Sequence, residues 1–418
     1  MGSKRHIEST ENKEGKMVRY RLLMLAGSLF LLSIFFFIPV GGALSAEKTE
    51  ILVGAVNSMT GVEQMTGMEQ KWGYEQGVAD INKRGGVFVK EAGKKLPLRL
   101  IFADDKSTPD QAAAAMERLI KVDKVDLLMS TDTSRKNLAA AVIAEKYKVF
   151  YLINILSPDL AEAQHFKWAA DFCYNRGNAC RMPFQIWDSL PETDKIKRPA
   201  VITEDDLDGQ YFRDKFQYWS KKHGYEFVVV DSAPVGNKDF SSYILKIKAS
   251  NADALIFEGP PGDGITCLRQ AKDAQLKLRY IQGWKAFWPT EFVKAMGKDA
   301  DYIIHDGFWS ENSGNPGAKE LGQRYTKQFG KDSVAVGLHY ATPQILAMAI
   351  ERAGSFDSAR VRDAVFGNEF KGTVMGDIEF NKGGVSEIPC LGLQWWKGER
   401  MPVWPPIKGW KLKMIPVE

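Results

Sequence analysis

Apolar residues along the chain fall into short continuous runs, separated by longer stretches whose apolar positions recur at helical spacing. Residues 51–56 form such a run and predict a buried strand; 67–83 predict a helix. Strands at 98–102, 125–129 and 149–153 alternate with helices at 109–121 and 134–146. The rhythm then restarts, with strands at 200–203, 227–232, 254–257 and 279–282 and helices at 211–223, 240–249 and 265–275. Alternation of this kind implies parallel sheets covered by helices on both faces, an α/β, doubly wound architecture. An irregular segment, roughly 171–197, separates the two series and marks a boundary between two α/β lobes. Helices at 316–329, 340–353 and 358–365 follow, and the chain closes in a Trp- and Pro-rich region of strands and loops.

One apolar run breaks this pattern. Residues 22–40 are almost wholly apolar, preceded by Arg19 and Arg21 and followed by Gly41-Gly42-Ala43-Leu44-Ser45-Ala46. A basic start, an apolar middle and small residues before a cleavage point are the parts of a secretory signal, so residues 1–45 read as a cleavable leader cut near Ser45 or Ala46. An uncleaved membrane anchor has the same length and is the competing reading. Across the 418 residues the net charge is +4; without the leader, 50 Lys and Arg face 49 Asp and Glu. A nearly neutral surface gives no argument for nucleic acid. In an oxidising compartment Cys173 and Cys180 could close a small loop, whereas Cys267 and Cys390 read as buried small hydrophobes. Neither the cysteine spacing nor the five isolated histidines suits a metal site.

Catalytic signatures are absent: there is no G-x-S-x-G, H-E-x-x-H, G-x-x-x-x-G-K-[ST] or G-x-G-x-x-G. Gly259-Pro-Pro-Gly-Asp-Gly264 looks like a phosphate loop, but its two prolines remove backbone donors and it reads as a strand-to-helix turn. The loops after the strands are more informative, because open α/β sheets bind ligands there. Ser130-Thr131-Asp132-Thr133-Ser134 consists entirely of oxygen-bearing side chains, able either to cap the next helix or to hold a polar ligand group. Asn57-Ser58-Met59-Thr60-Gly61, Asn154, and Asp206 with Asp208 and Gly209 end other strands.

These features, with five further segments, carry a family resemblance. The segments are Val78-Ala-Asp-Ile-Asn82-Lys-Arg-Gly-Gly86, Asp104-Asp105-Lys-Ser-Thr-Pro109, Lys238-Asp-Phe-Ser-Ser-Tyr-Ile-Leu-Lys-Ile-Lys248, Tyr340-Ala-Thr-Pro-Gln344 and Gly372-Thr-Val-Met-Gly376. In their order and spacing the chain resembles the type I periplasmic solute-binding proteins of ABC importers, in the leucine/isoleucine/valine-binding branch. The resemblance implies two lobes joined by three crossing strands near Phe172, Phe308 and Phe380: residues 46–172 with 309–380, and 173–308 with 381–418. It implies a monomeric receptor without cofactor, partnered by a small-molecule solute and by the membrane subunits of an ABC permease. By position, Thr133 and Ser134 match a hydroxyl loop that holds a carboxylate, and Asn154 a residue that offers its backbone. Thr66 stands where an aromatic residue often covers the ligand, and Asp208, Pro260 and Trp284 occupy second-lobe ligand positions.

The departures from the family are specific. Where amino-acid binders place an acid for the α-ammonium, this chain has Trp284, and Leu156 replaces a bridging threonine. With Phe287 and Trp288 beside it, Trp284 lines a pocket or packs the second lobe. The expected function is a non-enzymatic, periplasmic receptor for an amino-acid-like solute or, better suited to an apolar cleft, an aromatic or hydrophobic carboxylate or amide. A ligand sensor of the same fold, regulating a membrane or cytosolic partner, is the alternative.

Overall fold

The apolar runs become strands that are buried on both faces: Leu127–Met129, Tyr151–Ile153 and Ala254–Glu258 are buried at every position, as parallel strands under helices should be. The computed structural model describes residues 48–61, 63–406 and 411–416, so the leader and its cleavage point lie outside the described residues. Among the described residues no helix is long and apolar enough to cross a membrane.

Two sheets form. The first has the spatial order Val385–Glu387, Ala169–Cys173, Tyr151–Ile153, Leu127–Met129, Ile51–Asn57, Leu98–Asp104, and all its neighbours are parallel. The second has the order Glu399–Trp404, Leu391–Trp396, Ile304–Gly307, Tyr280–Trp284, Ala254–Glu258, Pro199–Glu204, Val229–Ala233. Its last five are parallel, and the hairpin 391–404 extends its edge antiparallel. Within that hairpin Trp395 is buried, and its indole N–H donates to the Phe287 carbonyl at 2.9 Å. This is therefore the α/β, doubly wound arrangement that the alternation predicts. Val385–Glu387 pairs with Asp171–Cys173 in the first sheet, although the sequence division gives residues 381–418 to the second lobe.

The segment 171–197, irregular in sequence, is ordered. Ala169–Cys173 is a strand, and helices Arg176–Ala179 and Met182–Ser189 follow it. Its order comes from packing rather than periodicity, since Phe184 and Trp187 are fully buried with ring centroids 5.0 Å apart. Here the structure departs from the disulfide expectation: Cys173 and Cys180 are buried free thiols. Cys173 ends the strand, while Cys180 caps the next short helix and its Sγ donates to the Arg176 carbonyl at 3.2 Å. Cys267 is buried, and Cys390 is partly so.

Both sheets position their first helix in the same way. A Cβ on Gly67 would meet the Ser58 carbonyl oxygen at 2.1 Å, and one on Gly209 the Glu204 carbonyl oxygen at 2.0 Å. Only glycine lets helices Gln64–Lys83 and Leu207–Lys222 approach the strand ends this closely. Asp206 caps the second of them, its Oδ1 accepting from Gly209 N at 2.8 Å.

Candidate functional site

Strand order reverses between Ile51–Asn57 and Leu127–Met129 in the first sheet, and between Pro199–Glu204 and Ala254–Glu258 in the second. Loops diverge at such points and leave a crevice at the carboxyl ends of the strands. Each crevice here is filled by a lysine among three carboxylates.

In the first sheet Lys136 Nζ lies 2.6 Å from Glu63, 2.6 Å from Asp132 and 3.4 Å from Asp105. Ser58 Oγ bridges this group, 2.7 Å from Asp105 Oδ1 and 2.9 Å from Asp132 Oδ1. Thr131 Oγ1 donates to Asp105 at 2.7 Å and Thr66 Oγ1 to Asp132 at 2.9 Å. Burial alone would raise the Asp132 carboxyl, but the bonds and charge from Lys136 hold it below the usual carboxylate range. Burial likewise opposes the Lys136 charge, and Asp132, Glu63 and Asp105 overcome it and raise that ammonium.

In the second sheet Lys285 Nζ lies 2.7 Å from Glu204, 3.1 Å from Glu258 and 3.6 Å from Asp208. One carboxylate oxygen from each of the three acids lies within 4.8 Å of the others, a spacing suited to a cation, and the Lys285 ammonium is the cation found there. Asp208 also takes Arg176 at 2.8 Å, whose guanidinium lies 3.9 Å from the Tyr211 ring centre. Burial and the neighbouring Glu204 charge push Glu258 up, with Lys285 opposing them.

Beside this second cluster is a cavity of about 180 Å3. The first sheet contributes Ser134, Ile155, Ser157, Cys173 and Tyr174 to it, with Arg176 just beyond. Asp208, Phe212, Glu258, Trp284, Lys285, Trp288 and Phe308 come from the second. A larger depression of about 850 Å3, around His165, Asp171 and Arg362, takes no residue from the second sheet. The smaller cavity is the candidate site, because it gathers the carboxyl ends of both.

Its aromatic walls are held rigidly. Tyr174 and Phe308 pack at 4.8 Å between ring centres, and Phe216 and Trp284 meet edge-on at 5.0 Å. The buried Asp306 accepts from Tyr174 Oη at 2.7 Å and from Trp288 Nε1 at 2.6 Å. Burial pushes its carboxyl up to about 7, with those two donors opposing the rise. Four polar atoms in or beside the walls are buried without a hydrogen-bond partner: Arg176 Nε, Trp284 Nε1, Thr133 Oγ1 and Glu258 Oε1, the last of them ion-paired with Lys285 at 3.1 Å. Two of these are donors only.

Of the residues singled out in the sequence, Ser134, Asp208 and Trp284 meet in the cavity. Thr133 precedes Ser134 at the start of helix Ser134–Tyr147 and makes no capping bond. Thr66 is turned to the Lys136 cluster. The Asn154 side chain is buried in a network with Tyr74, His339 and Thr342. Pro260 starts helix Pro261–Asp273 outside the cavity lining. Sequence reasoning missed Glu204, Glu258, Lys285, Arg176 and Tyr174. The two glutamates had a readable signal, since each ends a strand that is buried at every position.

Comparison with known proteins agrees with this geometry. Residues 50–391 match the model of a family described as periplasmic binding protein. A Leu/Ile/Val-binding protein homolog from Brucella melitensis is 27% identical over 372 residues, 88% of this chain and 97% of the relative. Two solved structures share the fold. One is a branched-chain amino acid transporter substrate binding protein from Streptococcus pneumoniae in complex with isoleucine (TM-score 0.68, 19% identity, 88% of this chain and 100% of that one). The other is a solute binding protein of an ABC transporter from Rhodopseudomonas palustris in complex with 3,4-dihydroxybenzoic acid (TM-score 0.68, 20% identity, 84% of this chain and 95% of that one). With two parallel sheets whose carboxyl ends meet at one cavity, and a family match across most of its length, this chain belongs to the periplasmic binding proteins, a family of solute receptors rather than enzymes.

Proposed function

We propose that this receptor takes a small aromatic or apolar molecule bearing a carboxylate or amide and hands it to the membrane subunits of an ABC permease. It works outside the cytoplasm as a monomer, after its leader has been removed. The observation that carries this reading is the character of the cavity wall: aromatic faces, acids already ion-paired, and unpartnered donors at Arg176 Nε and Trp284 Nε1. A buried donor without a partner costs free energy that a ligand acceptor would recover. The volume supports a single-ring solute, because a cavity of about 150 Å3 accommodates benzene. Dihydroxybenzoic acid in the Rhodopseudomonas palustris protein is a solute of this class.

On this reading Trp284 covers the ring, Ser134 and Thr133 meet the polar group at the helix N-terminus, and Asp208 orients Arg176. Thr66, Asn154 and Pro260 support these residues from outside the cavity. Residues 46–172 with 309–380 move as one lobe and 173–308 with 381–418 as the other, except that strand Val385–Glu387 stays with the first. Closure of the lobes on the solute would create the form that docks on the permease.

Ligand binding stabilises the folded state by mass action, so a thermal-shift screen is the direct test. Aromatic carboxylates or their amides should raise the melting temperature more than aliphatic amino acids do. If neither acids nor amides shift it, the solute class is wrong.

A further inference from the structure

We infer that the Lys285 ammonium is a built-in occupant of the acidic corner of the cavity, and that it makes the site reject solutes carrying an amine. The inference rests on the receptor reading above and deepens it, naming which half of an amino acid the site refuses.

Three observations converge on Lys285. First, the acids are used up: Glu204, Glu258 and Asp208 all face its ammonium, at 2.7, 3.1 and 3.6 Å. Two of the three remaining oxygens are also engaged, Glu258 Oε2 accepting from Glu204 N at 3.3 Å and Asp208 Oδ1 from Arg176 at 2.8 Å. A solute ammonium entering the cavity would find no vacant carboxylate and would face two cations. Second, the corner has the size and charge of a cation site, with three carboxylate oxygens within 4.8 Å of one another. An ammonium brought by a solute would compete for the place that the tethered one already holds. Third, the backbone is bent to put it there. Lys285 has φ of 33°, in the left-handed region that non-glycine residues seldom enter. Strain of this kind persists only where surrounding contacts hold it, and the three acids supply them.

The same residue explains how an acidic corner can sit beside a site for an acid. Lys285 and Arg176 offset most of the carboxylate charge, so a solute carboxylate meets a nearly balanced wall and two unused donors.

The test is a gain of function. Wild type and Lys285→Ala are titrated with phenethylamine, L-phenylalanine and 3-phenylpropanoate, and the melting temperature of each is followed with n-propylamine, the fragment that the substitution removes. Lys285→Ala should bind phenethylamine at least tenfold more tightly than wild type does, about 1.4 kcal/mol. Propylamine should raise the melting temperature of the variant and leave wild type unmoved. If Lys285→Ala does not fold, Lys285→Ala combined with Glu258→Gln removes one buried charge and carries the same comparison. Equal amine affinity in wild type and a folded variant overturns the inference, as does wild type binding L-phenylalanine as tightly as 3-phenylpropanoate. Failure of wild type to bind 3-phenylpropanoate counts against the proposed solute class alone, and an amine gain in the variant then still supports the role of Lys285.

Discussion

The carboxyl ends of the two sheets hold nearly the same chemistry, a lysine and three acids at a reversal of strand order, and put it to different uses. Around Lys136 the side chain is fully buried, as are Asp105 and almost all of Asp132. The cluster joins the loops that follow three strands of the first sheet. Around Lys285 the lysine side chain is 34% exposed and faces a cavity. Burial, not composition, separates an internal joint from a binding surface. A buried ion pair is costly to break because it leaves an uncompensated charge, whereas an open one can exchange partners with water or a ligand.

The largest effect expected from this contrast is on stability. Lys136→Ala should cost about 3–5 kcal/mol, because Asp105 and Asp132 stay buried without their cation. Lys285→Ala should cost about 1–2 kcal/mol, discounted for the water that reaches its side chain. Urea denaturation of both variants checks this, and equal losses would erase the distinction between the two clusters.

A second difference shows in pH dependence. Asp132, paired with a cation, has a lowered carboxyl, so its contribution to stability is present above the ordinary carboxylate range and is lost as the pH falls. Asp306 has only neutral donors, and burial raises it from 3.8 to about 7. Its native form holds the proton more tightly than the unfolded chain does, so its contribution is full below 3.8 and is lost as pH rises through about 7. Wild type should therefore lose stability relative to Asp306→Asn between about pH 4 and about pH 7. Parallel curves for the two proteins would show that Asp306 does not titrate in this interval.

The smallest effect sharpens the boundary between the clusters. Thr66→Val removes one hydrogen bond to Asp132 and should cost about 1 kcal/mol in unfolding experiments. Solute affinity should stay unchanged in calorimetry; a tenfold loss would place Thr66 against the ligand.

Much of the fold was legible because parallel strands buried on both faces must be apolar throughout, which is why 51–56 and 254–257 stand out. The helix Val336–Ala353 begins four residues before its sequence-based start at Tyr340, since the extra residues Val336 to His339 are buried by tertiary contacts rather than marked by a cap. Segment 171–197 was illegible for the same reason: Phe184 and Trp187 are ordered by their neighbours. In the site, Asp208 and Ser134 stood out from their positions after strands, and Trp284 was reached through the family resemblance. Lys285 could be found by neither route, because its significance lies in three acids 77, 81 and 27 residues away in the chain.

By itself, then, the sequence determined the α/β class, the two series of strands and the polar character of the loops that follow them, since local periodicity and strand burial are written in adjacent residues. Tertiary structure alone decided which charges are neutralised. An ion pair depends on distance and solvent access, and neither is set until Glu204, Asp208 and Glu258 are brought around one ammonium.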